Sequence, residues 1–541
     1  MKKDNSYYLI QAIPALAVTV IIFLLPIGSV LLKAGNITGT FTDPYTWRLL
    51  GFTVLESSLS ALLSVALALP FCVFFSRYSF PMRRVLLTIS DAAFALPAVL
   101  AALGFVIWYG NNGILNNGIL NNILSVLTNG KANLKILYSF KAIILAHVYL
   151  NFPVALSLIT GALGSMPRTE ENASRLLGAS ELRTFFRITL PKASGTIISA
   201  FTLIFLFCFP SFLIIMTLGG NPRFFTLEAE IYKRTYTDVN IGSSASLAVF
   251  SFLVMALLLL ATGNGREEKK ARRGKHHLIE ATGRRKALAI ILSVLIILFM
   301  APPMLAILYR AFFTRDNVFT MKAWTSILRR ANSGAGTSLG AIANSLIIAT
   351  LAASAAITMA SRISIAAVRN RMRFLPLLTS LPMAVGSVSM GLGFAILAAR
   401  IPVRNLALSY ILVLLAHTVV IMPFAVRTIL PGARSIPERL PLAAKTLGSD
   451  NRRIFRQIEY PLLGSYRKRA FAFSFALSLG EVNATLALGE GRVTTIPVLI
   501  YKLINQYNYQ GASALAVILL AIAISMFAIG ESSQETQHEL S

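Results

Sequence analysis

Five ionisable side chains lie inside strongly apolar stretches of this 541-residue chain: Glu56, Asp91, His147, His417 and Glu481. Ionisable groups are costly inside a membrane and face protein or a water-filled cavity, so each is a candidate for lining a polar pathway. Glu481 is expected beside such a pathway or in a helix-packing hydrogen bond. The two histidines precede Pro153 and Pro423 by six residues. They are expected to satisfy backbone groups that the prolines loosen. Other chemistries are not supported: no paired carboxylates, nucleophile–base set or metal cluster appears, which argues against an intramembrane enzyme. Cys72 and Cys208 each sit in an apolar run, against a disulfide framework or cysteine metal site. His276 and His277 have no second ligand pair at suitable spacing and read as linker residues. No GxxxxGK[ST] phosphate loop occurs, so the chain does not cradle ATP by that route. Neither a metal nor a cofactor is expected on it.

The elements that must position these residues are membrane helices. The chain is 55% hydrophobic and only 13% charged, with a mean hydropathy of +0.69. Soluble domains carry about 25% charged residues. An all-α polytopic membrane protein is expected, with about twelve transmembrane helices at roughly 20 residues per span. The apolar runs lie near 8–33, 52–76, 85–108, 138–164, 193–218, 242–262, 287–311, 338–360, 374–399, 404–430, 468–489 and 511–530. The net charge of +28 would suggest nucleic acid in a soluble protein. Here the basic residues concentrate in alternate loops, including Arg77, Arg83, Arg84, Arg266 to Lys286, Arg362 to Arg373 and Arg427 to Arg469. The positive-inside rule places those loops and both termini in the cytoplasm, and no nucleic-acid partner is needed. The first run lacks a cleavage site and reads as a retained anchor.

Self-comparison shows an internal duplication. A shift of 270 positions aligns residues 165–191 with 435–461 without a gap. Identities include Ala173/Ala443, Gly178/Gly448, Ile188/Ile458 and Pro191/Pro461. The same shift pairs His147 with His417 and Ser211 with Glu481; farther upstream a shift of 285 pairs Arg77 with Arg362 and Pro97 with Pro382. A longer Asn- and Gly-rich outer loop around 109–137 absorbs the difference. Two parallel six-helix halves are expected, 1–262 and 287–541, joined by a basic cytoplasmic linker, 263–286. Each matched segment reads as a short amphipathic helix, a glycine turn and a second short helix beside the membrane.

These segments resemble the signature loop of the permeases of binding-protein-dependent ABC importers, the type I transmembrane subunits. The family pattern is Glu-Ala-Ala, three residues, Gly, nine residues, Ile, one residue, Leu-Pro. The first copy has Asn172-Ala173-Ser174, Gly178, Ile188 and Leu190-Pro191; the second has Leu442-Ala443-Ala444, Gly448, Ile458 and Tyr460-Pro461. Spacing is complete in both, but the signature Glu is Asn172 in one and Leu442 in the other, and Glu171 stands one position early. The resemblance implies a fused double permease in a bacterial inner membrane. It also implies that separate ATPase subunits, two in number, dock on the loops at Ala173, Gly178, Ile188, Pro191, Ala443, Gly448, Ile458 and Pro461 and hold the ATP. An extracytoplasmic solute-binding protein would deliver cargo to a pathway for which Glu481, Ser211, His147 and His417 are candidates. Residues 145–153 and 205–232 resemble thiamine importer permeases, making thiamine or a precursor the expected cargo and ferric iron the alternative. An ion-coupled secondary transporter is the rival class; it gives no reason for two matched loops.

Overall fold

The computed structural model describes residues 6–93, 96–110, 113–115, 136–220, 222–263, 278–328, 337–372, 374–401, 406–488 and 493–538. A first run of helices comprises α1 (Ser6–Lys33), α2 (Pro44–Arg77), α3 (Arg83–Ala93), α4 (Ala98–Tyr109), α5 (Phe140–Ser165), α6 (Thr169–Leu176), α7 (Leu190–Cys208), α8 (Leu227–Tyr236) and α9 (Ile241–Gly263). A second run repeats that order as α10 (Gly283–Phe312), α11 (Ser338–Arg369), α12 (Phe374–Ser380), α13 (Ser387–Arg400), α14 (Leu406–Ser435), α15 (Arg439–Thr446), α16 (Gly464–Leu479), α17 (Asn483–Leu488), α18 (Ile496–Asn505) and α19 (Tyr509–His538). Long helices start where a side chain takes up the first free N–H groups. Asp43 accepts from Tyr45 N at 3.0 Å ahead of Pro44, and Thr337 accepts from Gly340 N at 3.1 Å.

Among the described residues nine helices are long and apolar enough to cross a membrane, and a bent pair makes a tenth if counted as one span. The shortfall from twelve has a local cause. The run expected at 85–108 is split into α3 and α4, with Pro97 in the N-cap position of α4. The run at 374–399 is cut by a 3₁₀ turn, Leu381–Ala384, containing Pro382, and its two parts meet at 85°. Proline lacks the N–H that continues a helix and disfavours helical backbone before it. The run at 468–489 breaks at Gly480 into α16 and α17. The linker residues 264–277, with His276 and His277, lie outside the described residues, as do 116–135 of the outer loop. The helix expected to begin at 287 begins at Gly283. Just before it, Ile279 and Glu280 pair in parallel with Tyr78 and Ser79.

The two runs interlock by exchanging their first helices. α1 packs against α11 and α13, whereas α10 packs against α4 as well as α19. Tyr8, Ala12 and Ala15 of α1 share an apolar cluster with Ala356, Ala360 and Ile363 of α11. Reciprocally, Ala289 and Ile296 of α10 share one with Ala61, Val65 and Phe75 of α2. Each crossing uses a glycine against a proline: a Cβ on Gly393 would overlap the Pro26 carbonyl, and one on Gly104 the Pro303 carbonyl. Ser29 fixes the first by donating to the Gly393 carbonyl at 2.7 Å. Small residues at such crossings let backbones approach where no hydrophobic effect drives them together.

Candidate functional site

The matched segments form two hairpins of the same build. Leu177 N donates to the Ala173 carbonyl and Leu447 N to the Ala443 carbonyl, both at 3.1 Å. α6 then ends with Gly178 N on the Arg175 carbonyl (3.0 Å) and Ala179 N on the Ser174 carbonyl (3.1 Å). α15 ends likewise, Gly448 N on Lys445 (2.9 Å) and Ser449 N on Ala444 (2.9 Å). This helix ending needs left-handed backbone at its turn, where a Cβ is unfavourable. Gly178 has φ +84° and Gly448 φ +81°. Ser180 and Asp450 cap the next short helices, Glu181–Thr184 and Asn451–Ile454. Both hairpins continue into a π turn, Phe185–Thr189 and Phe455–Glu459, that holds half-buried Ile188 or Ile458. Pro191 opens α7, and Pro461 sits in a one-turn helix before α16.

The hairpins also expose the same face. From 172 to 180 and from 442 to 450, exposed and half-buried positions fall in an identical order. Leu176 and Leu177 are 89% and 88% exposed, and Leu447 is 86% exposed. Leu182, Phe186 and Leu442 are exposed beside them. Apolar side chains gathered on a loop with no packing partner mark a docking surface. Asn172, where the family has its signature Glu, is exposed, and so is Leu442. Glu171 turns inward instead, accepting from Arg77 at 3.0 Å and from the Thr189 hydroxyl at 2.6 Å. In the second hairpin Arg369 donates to Glu459 at 2.6 Å.

The buried ionisable residues are ties between helices. His147 Nδ1 meets the Glu56 carboxylate, and Nε2 lies 2.8 Å from Ser211 Oγ. Ser60 donates to Glu56 at 2.9 Å. His417 lies 2.8 Å from Ser478 Oγ and 2.8 Å from Thr485 Oγ1. The expectation that these rings satisfy loosened backbone therefore fails. The carbonyls that Pro153 and Pro423 leave without a donor are those of Tyr149 and Val419, two residues beyond each histidine. Glu481, paired by the repeat with Ser211, accepts from Ala484 N at 3.0 Å and so caps α17. Asn483 beside it donates to Ser387 Oγ at 3.0 Å. Thus His147 and Ser211 come together, while His417 bonds neither Glu481 nor Ser211. The side chain of Asp91 lies outside the described residues.

The family model for the binding-protein-dependent transport system inner membrane component matches residues 61–264. The thiamine transport system permease protein ThiP of Brucella abortus (strain 2308) is 27% identical over 506 residues, covering 92% of this chain and 89% of its own. The proteins of that description from Haemophilus influenzae and Escherichia coli are 26% and 25% identical, each covering 90% of this chain and 89% of their own. The chain belongs to the binding-protein-dependent ABC importer permeases. The permease is thus a multi-pass inner-membrane protein, and the hairpin inside the matched region, 165–191, has its counterpart at 435–461.

One buried carboxylate in the permease has no counterpart in the repeat. Glu228 of α8 is 1% exposed and reaches α13 of the other run. It accepts from Ser389 Oγ at 2.7 Å and from Ser389 N at 3.1 Å. Burial pushes its carboxyl up to about 7, with the two Ser389 bonds pulling the other way. Sequence reading missed it because Leu227–Tyr236 reads as a polar connection between spans, with Glu228, Glu230, Lys233 and Arg234 together. The Arg369–Glu459 pair was missed because the repeat aligns Arg77 with Arg362, which the structure leaves exposed.

Proposed function

We propose that the chain forms the whole alternating-access pathway of a thiamine importer, or of an importer of a related thiamine precursor. Two ATPase subunits dock on the hairpins 165–191 and 435–461 from the cytoplasm, where both termini also lie. The halves 1–262 and 287–541, linked through 263–286, swing from inward-open to outward-open as the ATPases close, and hydrolysis resets them. A solute-binding protein delivers the cargo from outside. The ATP is held by the partner subunits; this chain carries no phosphate loop and no cofactor of its own. The observation that carries the reading is the pair of hairpins with one exposure pattern and an exposed leucine, Leu177 or Leu447, at the same place in each. A monomeric secondary transporter has no use for two such surfaces.

The relatives bearing the name of thiamine permeases cover about nine-tenths of the chain, which favours that cargo over ferric iron. A thiazolium cation is compatible with a pathway passing Glu481, Ser211, His147 and His417, since carboxylate and hydroxyl oxygens stabilise a desolvated cation. Uptake of labelled thiamine into cells with and without this chain tests the assignment. ATP-dependent thiamine uptake that vanishes on deletion supports it. Unchanged thiamine uptake with loss of ferric-iron uptake would reassign the cargo to iron.

A further inference from the structure

We propose that the arginine–carboxylate pairs Arg77–Glu171 and Arg369–Glu459 are the ties through which each docking hairpin moves a membrane helix, making these four positioning residues for transport. Arg77 is the last residue of α2 and Arg369 the last of α11, so the two arginines stand at the same end of corresponding helices. Each grips a carboxylate beneath a hairpin, at 3.0 Å in the first and 2.6 Å in the second. Both pairs are largely withdrawn from solvent, and Glu459 is fully buried. Charge-assisted bonds of this kind are short and strong, and inside the protein they are little screened by salt.

The two ties are built from residues that the duplication does not align. A shift of 270 carries Glu171 to Pro441 and Thr189 to Glu459, and a shift of 285 carries Arg84 to Arg369. In the first hairpin the carboxylate sits on α6 and bridges Arg77 to Thr189 at the end of the π turn. In the second it has moved to the π turn itself. The sequence has drifted while the link from hairpin to helix end has been kept. A residue needed only for local packing has no reason to reappear two helical turns away in the same job.

The geometry suits transmission. The exposed leucines occupy the outer side of each hairpin, leaving the carboxylate on the inner side. α6 has no fully buried residue, so packing alone holds it weakly to the membrane helices. Arg168 adds to the first tie by donating to the Ser76 carbonyl at 2.9 Å, again at the end of α2. A hairpin pulled by a partner therefore pulls α2 or α11 through a few strong bonds, as a rigid-body switch requires.

The test uses the full complex with its ATPases and a readout that does not depend on cargo. Spin labels go on V239C and Y507C, exposed positions in the turns after α8 and α18. The native cysteines Cys72 and Cys208 are buried and escape labelling. The label–label distance should change when ATP and vanadate are added. In the E171Q/E459Q variant that response should fall about tenfold while ATPase co-purification and ATP hydrolysis persist. E171Q alone, with Arg369–Glu459 intact, should lose part of the response, and reversal of that pair, R77E with E171R in an otherwise native chain, should recover it. A full wild-type response in E171Q/E459Q overturns the proposal. If that variant does not accumulate, R77M/E171M, which strands no charge, is read by the same criterion. No response in the wild-type complex would instead overturn the ATP-driven function on which the proposal rests.

Discussion

Glu228 and Ser389 join the two helix runs through a pair of hydrogen bonds 161 positions apart in sequence. The carboxylate also occupies the space a Cβ on Gly386 would need, so its placement on Ser389 depends on glycine there. The contact lies where the broken span turns through 85°. Glu228→Ala strands the Ser389 N–H and hydroxyl and empties a buried site, which should cost about 3 kcal/mol. Glu228→Gln keeps an acceptor for one bond and should cost under half of that. Thermal unfolding of the purified permease in detergent orders the two; equal losses would show that an amide of the same size is no better than an empty site, so that only the carboxylate serves Ser389.

The exposed leucines separate docking from folding. Leu177→Asp with Leu447→Asp alters side chains that pack on nothing in the chain, so unfolding should shift by no more than about 0.5 kcal/mol. ATPase binding should fall at least tenfold, on the order of 1.4 kcal/mol or more. A variant that binds ATPase normally would remove these leucines from the interface.

The paired histidines make different ties, so the same change should cost different amounts. His147→Ala leaves a fully buried Glu56 carboxylate with only the Ser57 and Ser60 hydroxyls. His417→Ala leaves two hydroxyls, Ser478 and Thr485, which are cheaper to strand. The first should destabilise by about 1–2 kcal/mol more than the second. Matching unfolding curves would show that the Glu56 contact carries no extra weight.

Much of the candidate docking surface was legible in the sequence, because glycine takes positive-φ backbone at a helix end at the least cost and so marks the turn. Gly178 and Gly448 fixed both hairpins, and Pro191 and Pro461 marked the helix starts beyond them. Membrane runs were legible as composition, but their breaks were not. Pro97, Pro382 and Gly480 each sit in an apolar stretch that hydropathy reads as continuous. Partner choice was invisible altogether. The apolar face of α1 or α10 says that it is covered but not by which helix, so the exchange between runs had no signal beyond Pro26 and Pro303. Arg369 was hidden by a duplication that kept the tie and moved its residues.

The central claim is that the two glycine-ended hairpins hold an ATPase, and co-purification measures it directly. Gly178→Val with Gly448→Val places β-branched side chains at φ +84° and +81°, which should distort both helix ends while touching no neighbour, since no atom lies within 4 Å of either Cβ position. The account predicts that the native permease brings down its ATPase and that the double variant accumulates in the membrane without it. A double variant that still retains the ATPase in full would contradict the account.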